Sequence, residues 1–152
     1  MKAKQNQKGL YSKEVMQHFL RPKNMGKIKN PDGIGKAGNP VCGDVMYLYI
    51  KVGKRKKTRK STERTEEYIK DIKFETLGCA VAIAVSSVLT EMVKGKSLED
   101  AEKISEKEIV KRLGGIPKQK FHCSLLGKQA LLNAIKDYKK RAIKHNQHNL
   151  NF

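Results

Sequence analysis

Apolar residues recur at helical intervals in two parts of the chain, one near each end. Tyr11, Val15 and Phe19 follow this spacing next to Ser12, a residue type that commonly caps helices, and they predict a short helix over 12–20. A longer apolar stripe predicts a second helix, which begins near Ser124 and packs on a sheet. The stripe consists of Leu131, Ala134, Ile135, Tyr138 and Ala142.

Two other segments have the composition and alternation of strands. Residues 45–52 are rich in β-branched and aromatic side chains and end at Gly53, and residues 68–76 alternate apolar with charged positions. The glycine-rich stretch 25–38 predicts a loop with at most a short edge strand. The polar residues 53–67, which connect the two strands, predict a long basic hairpin loop.

A third group of patterns predicts helices after the strands. Residues 80–93 are apolar on nearly every side, as in a buried helix, and Gly95 suits the left-handed position after its end. Ser97 and Ser105 each begin a sequence typical of a capped short helix. Strands in hairpin order followed by helices predict a single α+β domain over 1–152, with a small antiparallel sheet covered by helices on one face.

The net charge of +18 is concentrated in a few stretches. Residues 54–60 carry +6 and contain no aromatic side chain for stacking on bases, so we expect a solvated hairpin tip rather than a specific nucleic-acid site. The first residues have no apolar run, and residues 80–93 are too few and too polar to cross a membrane. We therefore expect a cytoplasmic protein with no membrane-spanning segment, and flexible ends over 1–10 and 145–152.

The chain has three cysteines, an odd number that excludes a fully paired disulfide framework. Cys42 and Asp44 are two residues apart at the entry to a strand, so their side chains should point the same way. Cys79 and Cys123 precede or begin predicted helices, where the helix dipole favours a thiolate. His122 is adjacent to Cys123. A cysteine can also be no more than a small core residue, but this distribution favours a metal or cluster site.

The residue types in this set limit its chemistry. Three thiolates leave one position of a tetrahedral site for Asp44 or His122, and both zinc and iron-sulfur clusters accept such mixed ligands. A carboxylate is a hard ligand among soft ones, so a cluster held partly by Asp44 should be released more easily than one held by four cysteines. Easy release suits a protein that gives its cluster away.

Short motifs run through residues 11–140, and together they are highly specific. They are Tyr11-Ser12, His18-Phe19, Pro22-Lys23-Asn24, Gly38-Asn39-Pro40-Val41-Cys42-Gly43-Asp44, Thr76-Leu77-Gly78-Cys79-Ala80, Leu113-Gly114-Gly115-Ile116-Pro117 and Lys120-Phe121-His122-Cys123-Ser124. On these motifs the chain resembles the scaffold proteins of iron-sulfur cluster assembly, the family of IscU and the NifU amino-terminal domain.

The resemblance implies a scaffold that receives sulfur as persulfide from a cysteine desulfurase, collects iron, builds a [2Fe-2S] cluster and passes it to recipient apoproteins. It also implies that Cys42, Cys79 and Cys123 hold the cluster, with Asp44 and His122 as adjustable further ligands. Such a protein is an acceptor and donor rather than a turnover enzyme. Cys123 is our candidate for the persulfide acceptor. Lys120 matches a family lysine near the site, where a cation would help to keep thiolates ionised.

Three features of this sequence bear on the resemblance. The interval from Cys42 to Cys79 is longer than the family pattern, and we place the surplus in the basic connection 53–67. The segment 117–120 lacks the second proline and the valine of the chaperone-binding motif, which argues against recognition by an Hsp70-type chaperone. His122 argues against the zinc-dependent, SufU-like branch of the family, which lacks this histidine.

Other readings remain open at the level of sequence. The main alternative is a zinc-binding sulfur acceptor that relays sulfur for a cysteine desulfurase, because the same ligand types bind zinc. A basic RNA-associated protein with structural cysteines, and a thiol enzyme that uses His122 and Cys123, are weaker alternatives. The sequence does not decide whether homodimers form.

Overall fold

The computed structural model describes residues 11–39 and 43–150 of the chain. Helix α1 spans Lys13–Leu20, and the Ser12 hydroxyl caps it by accepting a hydrogen bond from the Val15 backbone N–H. This confirms the helix predicted over 12–20. Val15 is fully buried, so α1 is anchored to the core by the face that the sequence pattern indicated.

Three antiparallel strands form one sheet in the order β1-β2-β3. Strand β1 spans Gly33–Asn39, β2 spans Asp44–Arg59 and β3 spans Thr62–Leu77. The predicted α+β class with an antiparallel sheet is confirmed. Both predicted strands continue well beyond the expected ends, and β1 occupies the second half of a segment expected to be mainly loop.

Residues 53–67 form a paired ribbon, so the prediction of a loop there was wrong, although the hairpin connection is as expected. Gly53 lies opposite Tyr68, and the Arg55 guanidinium lies 4.4 Å from the centre of the Tyr68 ring. Arg55 Nε is also 2.8 Å from a Glu66 carboxylate oxygen. These cross-strand contacts hold a ribbon whose polar sequence has no core-facing alternation. Between the strands, Lys60 and Ser61 both have positive φ, as in a two-residue hairpin turn.

The helices follow the sheet in the predicted order. They are α2 over Ala80–Val93, α3 over Leu98–Glu102, α4 over Glu106–Arg112 and α5 over Phe121–Leu150, with a short 3-10 helix over Lys118–Lys120 before α5. Gly95 has φ +87°, and Ser105 forms the expected capping box with Glu108. Helix α5 begins three residues earlier than predicted. It also includes 145–150, which the sequence predicted to be a flexible tail.

Helix α5 packs unusually close to β1. A Cβ atom at Gly35 would lie 1.9 Å from the Ala130 carbonyl oxygen, and one at Gly33 would lie 2.3 Å from the Ala134 carbonyl oxygen. Only glycine permits this contact between backbones. The predicted stripe on α5 is confirmed by Leu131, Ala134 and Ile135, which are at most 1 % exposed.

Residues 1–10, expected to be flexible, lie outside the described residues, as do 151–152. Within the described part of the chain, none of the helices has the length and apolar character that a membrane crossing needs.

Candidate functional site

Asp44 is the first residue of β2, next to the end of β3 and the start of α2. Only 11 % of its side chain is exposed. Gly78 packs against it, because a Cβ at this glycine would lie 2.7 Å from Asp44 Oδ1 and 2.9 Å from the Ala82 side chain. The absence of a side chain at Gly78 therefore makes room for the carboxylate.

His122 and Cys123 lie in the first turn of α5 and face Asp44. His122 Nε2 is 3.1 Å from Asp44 Oδ2 and 3.7 Å from Cys123 Sγ. One ligand atom from each of the three side chains lies within 4.8 Å of the other two. The structure thus brings together three of the five residues that the sequence predicted as ligands.

Cys79 is the residue before α2 and is partly exposed. Its thiol is close enough to hydrogen-bond to Cys123, and it raises the pKa of that residue. Cys79 is therefore a neighbour of the three-residue cluster, on the Cys123 side. Cys42, the fifth predicted ligand, lies outside the described residues.

The Cys123 thiol is protonated at neutral pH. Burial, followed by the neighbouring Cys79 and Asp44, raises the pKa of Cys123 to about 12. This is opposite to the thiolate that we expected from the helix dipole, because a fully buried sulfur gains less from the dipole than it loses by leaving water. A metal ion or another electrophile must therefore displace a proton from Cys123.

Lys120 provides a positive charge next to these acidic groups. Cys79, and to a smaller extent Cys123 and Asp44, raise the pKa of the Lys120 ammonium. In return, Lys120 lowers the pKa of Cys123, although by less than burial raises it. The predicted position of this lysine beside the site is thus found, and its direction of influence is the expected one.

The donor set determines what this site can hold. It combines a carboxylate oxygen, an imidazole nitrogen and a thiol sulfur, with a second thiol adjacent. Zinc and iron both accept these ligands, whereas calcium and magnesium prefer oxygen alone. The residues present therefore fit a thiophilic metal or an iron-sulfur cluster.

Some features of the site were not recognised from the sequence. Leu77, Phe121 and Leu125 lie close in sequence to the candidate ligands and are 73 %, 48 % and 54 % exposed. The sequence carries a signal for them, since all three are apolar and lie within four residues of a candidate ligand. They provide exposed apolar surface on the segments that carry the candidate ligands, which suits contact with another protein.

The other histidine of the motifs, His18, is separate from this cluster. Its Nδ1 is 2.7 Å from the Ser87 hydroxyl, and its Nε2 is 3.5 Å from Glu91. Burial, only partly offset by Glu91, lowers the pKa of His18. These contacts join α1 to α2.

Comparison with known proteins places these features in a family. A family model described as "NifU-like N terminal domain" matches residues 10–145. "Iron-sulfur cluster assembly scaffold protein IscU 1" of Archaeoglobus fulgidus is 51 % identical over 129 residues, 85 % of this chain and 76 % of that protein. The protein named as the IscU scaffold in Rickettsia prowazekii is 46 % identical over 134 residues, 86 % of this chain and 93 % of that protein.

A solved structure agrees at the level of the fold. The crystal structure of a nitrogen-fixing NifU-like protein (N-terminal) from Brucella abortus has a TM-score of 0.61 and covers 88 % of this chain and 96 % of its own. At 19 % identity this likeness concerns the fold alone. The match of the family model over most of the chain, together with relatives at 46–51 % identity, shows that this protein belongs to the NifU-like N-terminal domain family.

Proposed function

We propose that this protein is a scaffold on which a [2Fe-2S] cluster is assembled from iron and from sulfur delivered by a cysteine desulfurase. The cluster then passes to recipient apoproteins. The family and the scaffold names of the relatives support this proposal. The cluster is cargo in this scheme, and the protein acts as sulfur acceptor and cluster donor rather than as a turnover enzyme.

The convergence of Asp44, His122 and Cys123 is the observation that carries the proposal. These residues come from the start of β2 and the start of α5, far apart in sequence, yet their ligand atoms lie within 4.8 Å of one another. We include Cys79 and Cys42 in the proposed ligand set. The oxygen ligand among sulfur ligands favours release, which a cluster donor needs.

Cys123 is the proposed acceptor of sulfur. It loses its proton to the His122–Asp44 pair, in which His122 Nε2 is 3.7 Å from Cys123 Sγ and 3.1 Å from Asp44 Oδ2, so the pair as a whole takes up the proton. The Cys123 thiolate attacks the outer sulfur of the desulfurase persulfide. A new S–S bond forms on Cys123, the S–S bond of the donor breaks, and the donor cysteine leaves as a thiolate.

Sulfur transfer requires access to Cys123, which is fully buried. The segment 114–120 leads into α5 and begins with Gly114 and Gly115, which have φ of +68° and +96°. We propose that this segment moves aside when the desulfurase docks on the exposed apolar side chains of Leu77, Phe121 and Leu125.

Mass spectrometry after incubation with a cysteine desulfurase and cysteine tests the acceptor. We expect added sulfur on the parent and on Cys79→Ser, and none on Cys123→Ser. Sulfur that persists on Cys123→Ser but disappears from Cys79→Ser would reassign the acceptor to Cys79.

Anaerobic reconstitution with iron and sulfide tests the cargo. We expect the visible absorption of a [2Fe-2S] cluster in the parent and a reduced yield in His122→Ala. His145→Ala is the matched control, because this exposed histidine lies near the other end of α5. A colourless product that retains one zinc ion per chain would instead support the zinc-binding sulfur relay.

A further inference from the structure

Strand β2 has an unpaired edge along the basic ribbon. Strand β1 pairs with β2 only as far as Gly33 opposite Ile50, whereas β2 continues to Arg59. Within residues 11–39 and 43–150, no strand pairs with this side of β2 after Ile50. The backbone groups on that side are thus open to another strand.

The contacts of Asp32 show which residues point to this edge. The Asp32 backbone N–H donates to the Ile50 carbonyl oxygen, and its carboxylate accepts a hydrogen bond from the Val52 N–H. Backbone groups alternate in direction along a strand, so the N–H and C=O groups of Lys54, Lys56 and Thr58 point the same way. The register irregularity near Val52 does not alter this, because the extra residue, Lys70, is in β3.

The side chains of Lys54 and Lys56 are exposed next to this edge. No ion pair with another described residue involves either lysine. Two of the acidic residues on the ribbon have other partners, since Glu66 pairs with Arg55 and Lys57, and Glu67 accepts a hydrogen bond from Tyr138. The edge therefore combines open backbone groups with positive charge that has no partner among the described residues.

From this combination we infer that the edge of β2 over 54–58 binds an extended acidic segment of a partner protein, which adds to the sheet as a strand. Backbone hydrogen bonds supply the pairing, and carboxylates next to Lys54 and Lys56 supply the selectivity. A second copy of the same edge is disfavoured by its like charge. A nucleic acid is less suited, because the ribbon tip has no aromatic side chain on which bases could stack.

The position of this edge keeps it clear of the candidate site. Asp44 is the first residue of β2 and Lys56 lies twelve residues further along, about 40 Å away at the rise of an extended strand. A partner held at the ribbon would therefore leave the Asp44, His122 and Cys123 cluster open. This inference does not depend on the function proposed for that cluster.

Fluorescence anisotropy with a labelled peptide of alternating glutamate and threonine tests the inference. Lys56→Pro removes an N–H that points to the free edge and leaves the pairing with β3 in place. We expect this variant to weaken binding of the peptide by about tenfold or more. The double variant Lys54→Gln/Lys56→Gln keeps the backbone intact and should also weaken binding, so the test does not depend on the proline variant alone.

The matched control is Lys107→Gln/Lys111→Gln, which removes two exposed lysines from α4 and changes the net charge equally. This control should bind the peptide within about twofold of the parent. Amide hydrogen exchange should show peptide-dependent protection of Lys54, Lys56 and Thr58. Circular dichroism establishes that each variant is folded.

Several results would overturn the inference. Equal peptide binding by the parent and Lys56→Pro, without amide protection, would mean charge attraction without strand addition. Tighter binding of an RNA duplex than of the peptide would assign the ribbon to nucleic acid. An equal loss of peptide affinity in the α4 control would mean that only net charge matters. Self-association through residues 54–58 would show that the edge binds a second copy of the chain.

Discussion

Substitution of Gly35 by alanine tests the close contact that places α5, and with it His122 and Cys123, against the sheet. The added Cβ would lie 1.9 Å from the Ala130 carbonyl oxygen and 2.4 Å from the Ala134 backbone nitrogen. An ordinary C···O contact needs about 3.3 Å, so the helix must move away from β1 by more than about 1 Å. Both clashing atoms belong to helix backbone, which cannot rotate aside as a side chain can.

Helix α5 has little freedom to move. Nearer the start of α5, a Cβ at Gly127 would lie 2.9 Å from Val85, so α5 also packs tightly against α2. We expect Gly35→Ala to lower the free energy of unfolding by about 3 kcal/mol or more. Alanine also restricts the unfolded chain, but this stabilises the folded protein by less than about 1 kcal/mol and does not offset the loss. The midpoint of thermal unfolding should fall by roughly 6–12 °C.

Urea and thermal unfolding followed by circular dichroism measure this loss. Lys36→Ala is the control, because Lys36 is exposed on the same strand and its ammonium only lies over the Tyr47 ring, 5.7 Å from its centre. The control should cost no more than about 1 kcal/mol. A Gly35→Ala protein as stable as the control would show that α5 does not pack on β1 as described here.

Three further outcomes follow from the ionisable groups. Asp44→Ala should keep the fold and make a reconstituted cluster harder to remove with a chelator; faster loss than in the parent would contradict the role given to the oxygen ligand. In metal-free protein at pH 8, iodoacetamide should alkylate Cys123 about a thousandfold more slowly than an unperturbed thiol. The alkylation rate should rise as the pH approaches 12. A normal rate at pH 8 would refute the burial of Cys123. Burial and the Glu75 hydrogen bond raise the pKa of Tyr49 from 10.0 to about 12. The stability that protonated Tyr49 contributes should therefore be lost as the pH rises from about 10 to about 12. Tyrosinate absorbance at high pH, compared with that of Tyr49→Phe, detects this late titration.

The parts of the fold that the sequence predicted well are those in which local pattern and burial agree. Val15 on α1 and Leu131 on α5 lie on apolar stripes, and both are buried. The basic ribbon was missed because its strands are held by cross-strand pairs such as Arg55 with Glu66, which a search for core-facing alternation does not detect. For the same reason, both strands were predicted to be too short at the end nearest the hairpin turn.

The sequence predicted which residues lie at the candidate site better than it predicted their ionisation states. Spacing and motif placed Asp44, His122 and Cys123 at the ends of elements, and the structure brings these three together. The ionisation state of Cys123 depends on its burial, which follows from how α5 packs rather than from its position near a helix start. The role of Gly78 was likewise hidden, because it consists of space left for a carboxylate from another strand.

The site and the basic ribbon occupy opposite ends of β2, and the sheet register explains how one chain accommodates both. Residues 45–50 of β2 pair with both neighbouring strands, and this segment determines where Asp44 lies relative to β1 and β3. The register shifts between Lys51 and Val52, after which only β3 continues beside β2. A bulge at this point absorbs extra twist, so the length of the ribbon can vary without displacing the paired residues that hold the site. The ribbon is therefore free to serve a second partner while the geometry around Asp44 stays unchanged.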